Sequence, residues 1–98
     1  MIRVVYTSRL RRELLQIVKT IARDNTPAAG EFVAQLEHLC SLLAITPAMG
    51  PLRPKVGLNV RSLGLGNYLI FYRWNSELER VDILSVWHGR RRFPRLRS

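Results

Sequence analysis

Asn67-Tyr68-Leu69-Ile70-Phe71-Tyr72-Arg73-Trp74 and, after a polar gap, Val81-Asp82-Ile83-Leu84-Ser85-Val86-Trp87-His88 decide the fold. Both runs are rich in β-branched and aromatic residues, which suit a pleated, half-buried surface. Asn75-Ser76-Glu77 between them is turn chemistry, and the second strand is predicted over Arg80 to His88. In the first run Leu69 and Phe71 face one way while Ile70 and Tyr72 face the other, so the strand is expected at the centre of a sheet. Upstream, Leu58-Asn59-Val60-Arg61-Ser62-Leu63 reads as a further strand with Gly64-Leu65-Gly66 as its bend. Short connections make the three an antiparallel meander.

Toward the N-terminus the period changes. Residues 2–7 read as a short strand, and Ser8 is the expected N-cap of a helix carrying Leu10, Leu14, Ile17, Val18 and Ile21 on one side, ending near Arg23. Arg9, Arg12, Glu13, Gln16, Lys19 and Arg23 form its expected outer face. Asp24-Asn25-Thr26-Pro27 breaks the pattern and restarts it, with Thr26 as cap and Pro27 at the first helical position. The second helix puts Phe32, Val33, Leu36, Leu39, Cys40 and Leu43 on one side, and the prolines at 47, 51 and 54 end it. The order β-α-α-β-β-β predicts an α+β fold, an antiparallel sheet packed on a helical hairpin. Residues 1–89 form the expected single domain, and residues 90–98 a basic C-terminal tail.

With 98 residues there is room for one core, and 47% apolar residues are enough to fill it. Sixteen Lys and Arg against seven Asp and Glu leave a charge of +9, which draws anionic partners. Lys19 and Lys55 are the only lysines, and no acid follows Asp82, so the positive field concentrates in the C-terminal half. Arginine presents a planar fork of donors suited to phosphate and carboxylate, although GC-rich coding favours it equally. Cys40 is the single cysteine, so there is no internal disulfide or thiol-rich metal site, and it is expected in the core. No apolar run spans a membrane and the start does not read as a signal peptide, which points to the cytoplasm. No nucleotide-hydrolysis, zinc or dinucleotide signature occurs, so no cofactor and no metal are expected.

Three residues carry candidate chemistry. His88 ends the last strand beside a surface that Arg61 and Arg73 can approach. A proton-exchanging histidine with phosphate-holding arginines is the minimum for metal-free RNA cleavage. The plain alternatives are a strand-ending histidine bonded to backbone, and solvated arginines paired with Glu79 or Asp82. His38 falls on the outer helix face and reads as an ordinary surface residue. The tail holds five arginines and no acid; Arg90, Arg91, Arg92 and Arg95 with Phe93 suit nucleic acid or an acidic protein groove, or form a solvated end.

Arg61-Ser62-Leu63, Gly66-Asn67-Tyr68-Leu69-Ile70-Phe71-Tyr72-Arg73 and Val81-Asp82-Ile83-Leu84-Ser85-Val86-Trp87-His88-Gly89-Arg90 together resemble the RelE/ParE superfamily of type II toxins. The start at Ser8, the break at Asn25-Thr26-Pro27, Phe32 with Leu36, and Pro47-Ala48-Met49-Gly50 fit the same pattern. The resemblance implies a toxin neutralised by a cognate antitoxin, whose C-terminal segment would lie in an apolar groove beside the helical hairpin. It implies operator DNA as a partner only through that antitoxin, and no membrane. His88-Gly89-Arg90-Arg91 is similar to the ParE branch, which inhibits DNA gyrase with no established catalytic residues. Arg61, Arg73, His88, Arg90, Arg91, Arg92, Phe93 and Arg95 are then the target-binding set. The alternative is a RelE-like endoribonuclease acting on messenger RNA at the ribosome, with Arg61, Arg73 and His88 catalytic. No tyrosine follows Tyr72 and no lysine cluster surrounds Lys55, so that branch's usual complement is missing. A further alternative is an inactive toxin fold serving as a binding module.

Overall fold

The computed structural model describes residues 1–91 and Leu96. Its elements are β1 (Arg3–Tyr6), α1 (Ser8–Asp24), α2 (Thr26–Leu43), β2 (Val60–Leu65), β3 (Tyr68–Asn75) and β4 (Arg80–His88). They make one four-stranded sheet in the order β1-β4-β3-β2, so the meander and the central place of β3 are as the sequence reading has them. The antiparallel pattern holds for β2, β3 and β4, whereas β1 joins the outer edge of β4 in parallel. The two helices between β1 and the meander carry the chain back to its starting end, which makes a parallel pairing possible. Neither described helix is long and apolar enough to cross a membrane.

The helix caps lie one residue earlier than expected. Thr7, still extended at φ −67° and ψ 160°, accepts the Leu10 N–H, so Ser8 is already helical. The Thr7 hydroxyl also donates to the Ile83 carbonyl at 2.8 Å, tying the helix start to β4, a contact Ser8 is not placed to make. Asn25 does double duty between the helices: its N–H caps the Ile21 carbonyl, and its side chain accepts the Ala28 N–H at 3.1 Å. Thr26 instead lies inside α2, with its hydroxyl turned back toward the Ala22 carbonyl.

The hairpin covers one sheet face. Leu10, Phe32, Leu36 and Leu43 pack on Leu65, Ile70, Tyr72, Val81, Ile83 and Val86. Strict alternation would not put both Ile83 and Val86 there. A bulge does so: Tyr72 pairs with Ile83 and Phe71 with Ser85, so Leu84 is an extra residue and the side-chain parity of β4 changes. Glu13 of α1 sits over this irregularity. Its Oε1 accepts the Ser85 hydroxyl at 2.7 Å and the Val86 N–H at 3.2 Å, while Oε2 faces Arg9 Nε at 3.2 Å. Glu13 is therefore not an outer-face residue, because the bulge presents donors that only an acceptor on α1 can satisfy.

The opposite sheet face has its own small core of Val56, Val60, Phe71 and Leu96, flanked by Leu69, Leu84 and Trp87. Leu96 belongs to the segment set apart above as a tail, yet it is only 6% exposed and donates its N–H to the Val56 carbonyl at 2.6 Å. Gly57 permits this approach, since a Cβ there would lie 2.6 Å from the Leu96 carbonyl oxygen. Replacing Leu96 by alanine is expected to cost about 2 kcal/mol, the low end for a buried leucine because the cluster is small. A urea midpoint unchanged in Leu96→Ala would show that the contact contributes nothing.

Candidate functional site

Arg61 lies on β2 directly opposite Tyr72 and shares its sheet face. Its Nη1 donates to the Gly50 carbonyl at 2.8 Å and the Ala48 carbonyl at 3.2 Å, and the Gly50 N–H donates to the Tyr72 hydroxyl at 2.9 Å. Gly50 is pressed so closely onto β2 that a Cβ would collide with the Ser62 carbonyl. Arg61 and Tyr72 thus clamp the Pro47-Ala48-Met49-Gly50 loop. Burial pushes the Tyr72 hydroxyl above its ordinary titration range, and the Gly50 N–H and the Arg61 cation pull only partly against that, so it stays neutral.

Arg73 pairs with Val60 and Asp82 and therefore points to the other face. Its Nε donates to the Leu58 carbonyl at 3.0 Å, and its buried Nη2 has no hydrogen-bond partner among the described residues. The acids considered as partners for these arginines are engaged elsewhere: Asp82 with Arg80 at 2.8 Å, and Glu79 with the N-terminal ammonium at 3.8 Å. The separation of Arg61 from Arg73 is a matter of register. A bend at Gly64-Leu65-Gly66 would pair Leu63 with Asn67 and leave both arginines on one face. The turn is instead Gly66-Asn67, with Gly66 at φ +58° and Leu65 opposite Tyr68, and this shift reverses the relation.

His88 pairs with Tyr68 at the far end of β4. Its ring meets Tyr68 edge to face with centroids 5.3 Å apart, and its Nδ1 accepts the Arg90 N–H at 3.1 Å, which leaves the ring proton on Nε2. The His88 carbonyl accepts the Arg91 N–H, and Gly89 N–H bonds to the Asn67 carbonyl, so a tight turn presents Arg90 and Arg91 to solvent. The Arg91 guanidinium lies 5.5 Å from the Trp87 ring centroid. Between Tyr68 and Tyr72, the cross-strand neighbours of His88 and Arg61, β3 advances roughly 13 Å. The structure therefore does not gather Arg61, Arg73 and His88. Arg92, Phe93 and Arg95 lie outside the described residues, and His38 is exposed.

One feature escaped the sequence reading, and a second differs from it only in its lining. Glu13, counted with the polar helix face, holds the strand from which His88 and Arg90 project. A shallow apolar groove of about 260 Å³ runs over the hairpin between Leu14, Leu15, Val18 and Val33, with Leu15 53% exposed. The sequence predicts a groove beside the hairpin but places Val18 and Val33 in the apolar stripes; the structure leaves both half-buried along the groove.

A sequence profile of the ParE toxin of the type II toxin-antitoxin system, parDE, matches residues 4–93. This chain belongs to the ParE toxin family. It is 33% identical over 96 residues to a Sinorhizobium fredii protein inferred to be a toxin, Y4kP, covering 96% of this chain and 95% of that one. Among solved structures, a chain of the chromosomal ParDE system from P. aeruginosa superposes with a TM-score of 0.73 at 20% identity, over 90% of this chain and 96% of that chain. A chain of the RelBE2 toxin-antitoxin complex from Mycobacterium tuberculosis gives 0.58 at 29% identity, over 89% and 96%. The protein is a type II toxin of the ParE/RelE superfamily with that superfamily's α+β fold.

Between β1 and α2, the ParE-family chain holds a neutral pair. Cys40 Sγ lies 3.7 Å from the Tyr6 hydroxyl. Burial raises both, with Glu37 adding repulsion, and the Tyr6 contact only partly relieves Cys40. Unfolded, these groups ionise from about pH 9 upward, while in the fold both titrations are pushed higher, so stability falls as pH rises through that range. Urea midpoints at about pH 8 and pH 10 should show the loss, and Tyr6→Phe should reduce it; an equal loss in that variant would assign the effect elsewhere.

Proposed function

We propose that this ParE-family toxin inhibits DNA gyrase without bond-making chemistry of its own, and that a cognate antitoxin neutralises it in the cytoplasm. The observation that carries the reading is the dispersal of Arg61, Arg73 and His88. A metal-free nuclease needs its phosphate clamp and its proton-transfer group within hydrogen-bond reach of one substrate, about 3 Å. Here Arg61 holds a loop, Arg73 faces the other side of the sheet, and the Nδ1 of His88 is taken by Arg90 N–H. The profile match to ParE supports the same branch.

The contact with gyrase, or with DNA held by gyrase, falls in this reading to His88, Arg90 and Arg91, joined by Arg92, Phe93 and Arg95 on the strength of the sequence. Arg61 and Arg73, each bonded to loop carbonyls away from His88, are left out of that contact. Removing the whole of residues 90–98 would also take Leu96 out of its core, so point substitutions are the cleaner probe. Folded, antitoxin-free protein is expected to inhibit supercoiling and to trap cleaved DNA, and Arg90→Gln with Arg91→Gln to weaken both by roughly tenfold or more. Supercoiling untouched at micromolar excess would sink the gyrase target. The likeness to the RelBE2 chain keeps one competing outcome open to measurement: codon-phased cuts in messenger RNA after brief induction would assign the ribosome instead.

The antitoxin is assigned to the groove of Leu14, Leu15, Val18 and Val33, which suits an amphipathic helix docking by its apolar face. Arg11 at its rim would pair with an acid on that helix. Operator DNA is then reached only through the antitoxin. Leu15→Asp should weaken the toxin-antitoxin complex by roughly tenfold or more while leaving the thermal midpoint nearly unchanged, since the residue is exposed. Full affinity in titration calorimetry would place the antitoxin on another surface.

A further inference from the structure

An open cleft of about 450 Å³ lies on the helix side of the sheet, between the middle of α1 and the turn that follows β4. Arg61 and Arg73 do not line it. Its size falls within the roughly 300 to 1,000 Å³ of small-ligand sites, and its chemistry is divided among three surfaces.

The floor is aromatic. The Tyr68 and His88 rings meet at 77° with centroids 5.3 Å apart, and Phe32, which is buried, backs Tyr68 at 5.3 Å, so this ledge is braced from the core. One wall is cationic, formed by exposed Arg90 with Arg91 beside it, the Arg91 guanidinium itself lying 5.5 Å from the Trp87 ring centroid toward the other sheet face. The opposite wall is the neutral polar strip of Gln16 and Thr20 on α1. Among the described residues the only acid lining the cleft is Glu13, and its carboxylate is committed to Ser85, Val86 and Arg9. Because Nδ1 accepts the Arg90 N–H, His88 keeps Nε2–H as a donor.

The geometry points to a binding site for a nucleoside phosphate. The base would rest on the aromatic ledge, where stacking tolerates any base, with its polar edge toward Gln16 and Thr20. The phosphate would meet Arg90, whose planar fork matches its oxygens, with the Arg91 charge close by and free to join on leaving Trp87. Such a ligand has two sources, a free nucleotide or the end of a nucleic-acid strand. The site stands whether gyrase or the ribosome is the target, and it is read by direct binding with neither present.

Calorimetric titration of the purified full chain with AMP, adenosine, inorganic phosphate and a short single-stranded oligothymidylate tests the assignment. AMP should bind at least roughly tenfold more tightly than adenosine or phosphate. Thr20→Trp, which fills the cleft from an exposed helix position, should weaken AMP by roughly tenfold or more, as should Arg90→Gln with Arg91→Gln. If the oligonucleotide binds more tightly than AMP and shares the same losses, the natural ligand is a strand end; comparable affinities indicate a free nucleotide. Phosphate binding as well as AMP would reduce the site to a patch of charge and overturn the assignment. Undiminished AMP binding in Thr20→Trp, with its circular dichroism and thermal midpoint intact, would overturn it equally.

Discussion

The carboxylate of Glu13 is the contact on which the arrangement of β4 depends. A strand that keeps strict alternation cannot send both Ile83 and Val86 into the same core. The extra residue Leu84 resolves this, but it disturbs the ladder and presents the Ser85 hydroxyl and the Val86 N–H to the helix layer. A buried donor left unsatisfied costs about 1–3 kcal/mol, and Glu13 supplies acceptor oxygen to both. Helix, bulge and strand end therefore form one unit. Thr7 strengthens it from below by capping α1 while bonding to the Ile83 carbonyl.

Most of the architecture was legible because hydrophobic period marks both helix and strand. The alternation around Leu69–Tyr72 marked β3 as central, and the spacing of Leu10, Leu14, Ile17 and Ile21 placed α1 to within a residue of its observed end. What the period does not carry is pairing. Nothing in Arg3–Tyr6 says which strand edge it joins, and the choice of β4 emerges only when two helices of this length return the chain. Caps were misplaced by one residue because Thr7, Ser8, Asn25 and Thr26 are all competent, and tertiary bonds decided between them.

The candidate site was less legible. Arg61, Arg73 and His88 were selected by chemical type, but their relation depends on whether the β2–β3 connection is a three-residue bend or the two-residue turn at Gly66-Asn67. Sequence allows both, because glycine occupies either position. One residue of slip in a hairpin changes which side chains are neighbours, so chemistry inferred across a turn is only as good as that turn. Glu13 escaped for another reason: its helical position is polar by pattern, and the donors that draw it inward arise from an irregularity no pattern announces. Leu96 was overshadowed by the charge around it.

The parallel pairing of β1 with β4 also sets a timetable for synthesis. The Thr7 hydroxyl and the Ile83 carbonyl are separated by 76 positions in the chain, so the sheet closes at its first strand only when its last has been made. Contacts this remote fold slowly. Until Val81–Val86 leaves the ribosome, the α1–α2 hairpin exposes the apolar side that the sheet will cover, and His88 and Arg90 have no strand to project from. The cationic edge at Arg90 and Arg91 therefore takes its place only after both helices and the rest of the sheet have been synthesised.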